Sequence, residues 1–119
     1  MNDIFKQLKA IMQPVTGSLN VTLDEPGHLD VYTHNVMKNG KPRWFGGVRI
    51  QKNYVSYYLM PVYENPQLVS GISPELKKCM KGKSCFNFKA VDKPLLKELS
   101  QLTKQSLKDY KAKGYMSDN

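Results

Sequence analysis

The sequence predicts an α+β fold: an antiparallel sheet of about five strands, with the N- and C-terminal helices packed on one face. Three observations lead there. Apolar residues repeat at helical spacing at the start of the chain and again near its end. Between those segments, runs of residues alternate apolar and polar with a period of two. The links between the runs are short and carry Gly, Pro and Asn, which suits antiparallel neighbours and leaves no room for parallel crossovers. A length of 119 residues fits one domain, 1–119, with enough chain to bury a core.

The first helix rests on Ile4, Phe5, Leu8, Ile11 and Met12, with Asn2 or Asp3 as its cap. Pro14 and Gly17 stop it. Leu19, Val21 and Leu23 alternate with polar neighbours and form the first strand. Glu25-Pro26-Gly27 is turn chemistry. The second strand covers Leu29 to Met37, and Asn39-Gly40 tolerates the positive φ of a hairpin turn. Trp44 to Gln51 forms the third strand, Lys52-Asn53 a turn, and Tyr54 to Met60 the fourth strand. Residues 61–72 are irregular, broken by Pro66 and Gly71. Ser73-Pro74-Glu75 starts a short helix, with a hydroxyl cap followed by proline at the first helical position. Gly82 ends that helix, and Lys83 to Phe88 is the fifth strand. Asp92 caps the last helix, which tolerates Pro94 in its first turn. Leu99 and Leu102 of this helix are expected to pack against Leu8 and the apolar sheet face. Gly114 ends it, and residues 115–119 are expected to be a short flexible tail.

The net charge of +8 is unevenly placed. Residues 77–113 hold eleven lysines against Asp92, Glu98 and Asp109, whereas residues 1–76 are nearly balanced. Such a field favours anionic partners. Lys97, Lys104 and Lys108 share the helix face opposite the leucines and are candidate binding residues. No apolar run is long enough to span a bilayer, and the start lacks the pattern of a secretory signal, so no membrane association and a cytoplasmic location are expected. Cys79 and Cys85 are then reduced, with neighbouring lysines expected to lower their pKa.

Gly82-Lys83-Ser84 is not a phosphate loop. A Walker loop needs glycine five residues before its Gly-Lys-Ser and a helix after it. Lys77 stands at that position, and a strand follows. No spacing signals a catalytic triad or a general acid–base pair, so a non-enzymatic protein is expected.

Met60-Pro61-Val62-Tyr63, Ser73-Pro74-Glu75-Leu76-Lys77-Lys78 and Gly82-Lys83-Ser84-Cys85-Phe86-Asn87-Phe88 resemble the YdhG-like domain family. The resemblance covers nearly the whole chain and is strongest from Tyr54 to Leu99. It implies a frataxin-like helix–sheet–helix sandwich. One branch of that family is regarded as frataxin-like iron chaperones, so the resemblance also implies iron as cargo and iron–sulfur or haem assembly proteins as partners. Frataxins carry an acidic ridge on the first helix and strand. Here the first helix offers Asp3 against Lys6 and Lys9, and the nearby candidate ligands are Asp24, Glu25, His28 and Asp30. Weak iron binding at most is expected from that set. His28 and His34 stand about 20 Å apart along one strand and do not share a metal.

Alternation points to a second candidate site. With Val48, Ile50, Val55, Leu59, Phe86 and Phe88 towards the helices, the other sheet face carries Tyr32, His34, Phe45, Arg49, Tyr58, Cys85 and Asn87. Aromatic rings, an arginine and surrounding lysines suit an anionic partner, either nucleic acid or a phosphorylated ligand.

Overall fold

Helix α1 spans Asn2–Met12 and buries Ile4, Phe5, Leu8 and Met12, the stripe set by its 3.6-residue period. A computed structural model describes residues 1–117. Neither Asn2 nor Asp3 caps α1. Its N-cap is Met1, without a side-chain bond, and Asp3 lies in the first turn beside the positive end of the helix dipole. After Met12 the chain tightens into a 3-10 turn over Gln13–Ser18.

The strands are β1 (Asn20–Glu25), β2 (His28–Val36), β3 (Pro42–Ile50), β4 (Val55–Leu59), β5 (Met80–Lys81) and β6 (Cys85–Phe88). They form one antiparallel sheet in the order β1-β2-β3-β4-β6-β5. The two-residue β5 is an addition to the expected strands. Gly82 therefore does not end a helix; with φ of 70° it turns the β5–β6 hairpin. The irregular stretch after β4 holds a short helix, α2 (Met60–Glu64), and a 3-10 turn over Pro66–Val69. Helix α3 spans Pro74–Cys79, and Ser73 caps it by accepting the Leu76 N–H at 3.1 Å. Helix α4 spans Lys93–Ala112, capped by Asp92 through the Leu95 N–H.

Helices α1 and α4 lie against each other on one face of the sheet. Leu8 and Leu99 are fully buried and Leu102 nearly so, together with Val48, Val55, Leu59 and Phe86 from the strands. Burying one such side chain contributes about 1.5–3 kcal/mol. Polar ties fix the helices at defined depths. The Thr103 hydroxyl donates to the Leu99 carbonyl, so the buried Tyr57 hydroxyl, 2.7 Å from Thr103 Oγ1, is the donor of that pair. Both oxygens of Glu98 accept from Ser73, one from its N–H and one from its hydroxyl, joining the start of α3 to α4.

A β-bulge breaks the alternation of β3. Val31 pairs with Gly46 and Tyr32 with Trp44, which leaves Phe45 as an extra residue. Phe45 therefore turns to the helices, where it is fully buried against the edge of the Tyr110 ring. Its assignment to the open face was wrong, because alternation holds only while two strands advance one residue for one. Gly46 shares the helix side with Phe45. A Cβ there would run into the Tyr58 carbonyl oxygen and lie 3.2 Å from Met12 Cε.

Gly46→Ala is expected to cost about 1–3 kcal/mol through overpacking. Urea denaturation would measure it, and an unchanged midpoint would show that the bulge does not need glycine.

Burial raises the Tyr57 and Tyr110 phenols well above the ordinary value of 10.0; around Tyr110 the Glu64 carboxylate adds to this against Arg43. The unfolded chain loses these protons near pH 10 while the folded chain keeps them. Stability is thus full below pH 10 and falls as the pH rises beyond it. Tyr57→Phe should flatten that alkaline loss in melts taken between about pH 8 and 11, and an unchanged slope would remove Tyr57 as its source.

Candidate functional site

The sheet face away from α1 and α4 is set by cross-strand rows. One row runs Lys81, Cys85, Tyr58, Gly47, Asp30, and the next runs Asn87, Ser56, Arg49, His28. The bulge adds Trp44, which Phe45 had been expected to replace. Trp44 donates its indole N–H to Asp30 Oδ1 at 2.6 Å and stands 5.5 Å from the Tyr58 ring, tilted to it. Tyr32 pairs with Trp44 on the neighbouring strand. Tyr32, Trp44 and Tyr58 are all half-buried, so each ring is supported and still reachable. Gln51 Nε2 approaches the Tyr58 hydroxyl at 3.4 Å. Asn87 Oδ1 accepts from the Ser56 hydroxyl at 2.7 Å and from the Cys85 thiol at 3.3 Å. Arg49 is exposed and has no carboxylate within ion-pair distance among the described residues.

The face thus joins Tyr32, Arg49, Tyr58, Cys85 and Asn87 as the alternation predicts. It does not take in the lysine stripe. Lys97, Lys104 and Lys108 are exposed on α4, whose buried side carries Leu96, Leu99, Leu102 and Tyr110. They point away from the sheet, on the opposite side of the molecule from Tyr58. The expected single surface of lysines and aromatics is therefore two surfaces. His34 is exposed near the far end of β2, and its backbone N–H donates to the Met116 carbonyl at 3.2 Å.

That bond is one of several made by residues 115–117. Tyr115 to Ser117 is a docked segment. Arg43 lies 3.6 Å above the Tyr115 ring, and Asn35 Nδ2 donates to the Ser117 carbonyl at 2.9 Å. Arg43 also donates to Asn35 Oδ1 and to Glu64, which ties β3, α2 and the segment together. Residues 118–119 of the expected tail lie outside the described residues.

Asp24, Glu25, His28 and Asp30 do not gather into one site, although Glu25 and His28 are cross-strand partners. Asp24 pairs with Lys9 of α1 at 2.5 Å, whereas Asp30 is held on the open face by Trp44. Among the described residues no group of three His, Cys, Asp or Glu side chains is placed to hold a metal. The four residues thus do not fit a resident iron, and no step through iron follows. No helix among the described residues is long and apolar enough to cross a membrane. No family model, curated protein or solved structure matches the chain.

Both cysteines are free thiols. Partial burial raises their pKa values, and Asp92 raises that of Cys79 further, while the neighbouring Ser56 and Tyr58 side chains partly offset the rise at Cys85. The expectation that lysines would lower them does not hold, because desolvation outweighs these exposed ammonium groups. Alkylation at pH 8 should therefore be slower in the native protein than after denaturation, with two thiols counted in the end. Native labelling as fast as that of a small free thiol would contradict the burial of both.

Proposed function

We propose that the protein is a binding module whose ligand, an anionic strand with planar bases, lies across the open face of the sheet. One observation carries this reading. Trp44, Tyr58 and Tyr32 form a supported aromatic cluster on a sheet face that no helix among the described residues covers, with Arg49, Lys81 and Asn87 beside it. Every base has a π-face, so rings of this kind hold single-stranded nucleic acid without reading its sequence. Cations at the rim meet the phosphates. The iron-handling reading rests on family resemblance alone, since among the described residues the paired Glu25 and His28 have no third ligand beside them.

Trp44 is the sole tryptophan, so its fluorescence reports on the face directly. A single-stranded oligonucleotide added at low salt should quench it, and the affinity should fall steeply as salt is raised. Tyr58→Ala should weaken binding by roughly 5-fold to 100-fold, the range of one base–ring stack. Replacing Lys97, Lys104 and Lys108 together with Gln should leave the affinity within about threefold, since these lysines lie on the other side. Binding that ignored Tyr58 and vanished with the three lysines would place the partner on α4 and overturn the sheet-face reading.

A further inference from the structure

A recess of about 390 Å³ opens where the β6–β5 edge of the open face meets the end of α3. Three lysines surround it: Lys78 from the last turn of α3, Lys81 from β5 and Lys89 just beyond β6. All three are exposed, and none has a carboxylate within ion-pair distance among the described residues. Asn53 and Tyr54, from the β3–β4 turn, form the opposite wall. Asn87 lines the recess as well. Its Oδ1 is taken by Ser56 and Cys85, which leaves the two Nδ2 protons as donors to a ligand. Asp92 is the acidic group that acts on Cys79 at this end, and it is occupied in capping α4.

We propose that this recess binds a phosphomonoester. Three ammonium groups and an amide donor around one concavity outnumber the single charge of a phosphodiester. A monoester carries about −1.5 to −2 at neutral pH and offers three strong acceptor oxygens. The half-buried Tyr54 ring gives the attached sugar or base an apolar surface. The recess adjoins the row of Lys81, Cys85 and Tyr58, so a strand lying on the aromatic face would end in it. The phosphate is then either the 5′ end of such a strand or that of a free mononucleotide. The first source rests on the sheet-face reading, and the second does not.

Two pairs of probes separate them. The first is a 5′-phosphorylated and a 5′-hydroxyl oligothymidylate of equal length, followed by Trp44 fluorescence. The second is adenosine monophosphate and adenosine, followed by calorimetry. The phosphorylated strand is expected to bind about tenfold more tightly or better, in line with charge-assisted contacts. Adenosine monophosphate should bind and adenosine should not. Lys78→Gln with Lys89→Gln should abolish both differences, whereas Lys104→Gln on the far side should leave both intact. Thermal melts of the double variant check that the fold is retained, which the exposure of both lysines favours. Equal affinity for the two strands, with no binding of the mononucleotide, would overturn the recess and leave the aromatic face standing. Mononucleotide binding without any strand binding would support the recess and overturn the face. Failure of all four probes would overturn both.

Discussion

The extra residue at Phe45 is the constraint on which the two faces of the sheet depend. β3 is a central strand, paired with β2 on one side and β4 on the other. Without the bulge, Trp44 would point into the helical layer and Phe45 into solvent. With it, Phe45 fills the core beside Tyr110, and Trp44 reaches Asp30 and Tyr58 outside. Gly46 makes the inversion sterically feasible, because its missing side chain leaves room for the Tyr58 carbonyl and for Met12. Core packing and surface chemistry thus share one local irregularity, and neither could shift register without the other.

The helical layer is matched to that sheet by buried polar contacts as well as by leucines. Tyr57, Thr103 and the Leu99 carbonyl form a fully buried chain of hydrogen bonds. A sliding helix would strand those groups without partners, and each stranded group costs about 1–3 kcal/mol. The result is a rigid support for the opposite face. The two charged surfaces stay apart for the same reason: α4 spends its leucines on the core and can only present its lysines outward.

Much of this architecture was legible in the chain because the signals were local. Gly27 and Gly40 adopt positive φ in the two hairpin turns that link β1 to β2 and β2 to β3. Ser73 and Asp92 cap the helices they precede. Pro66 misled, since proline reads as a breaker; like Pro61, it occupies the first turn of a short helical segment, where its missing N–H is no loss. The bulge was marked only by Gly46-Gly47 inside a strand, a known sign of one. The docking of Tyr115 left no local trace, because its partner Arg43 is distant in sequence. The lysine recess was equally hidden, being assembled from three separate stretches of chain, residues 53–54, 78–81 and 87–89.

The bond from His34 to the Met116 carbonyl has a consequence for synthesis on the ribosome. β1 begins its pairing at Tyr32, so the His34 N–H beyond that point waits for the Met116 carbonyl. At about 5–20 residues per second, that wait lasts several seconds. During it, a nascent sheet presents an unmatched backbone N–H to whatever strand is near. This end of β2 is therefore completed late, and a chain stalled short of Met116 would carry one more open edge N–H than the finished protein does.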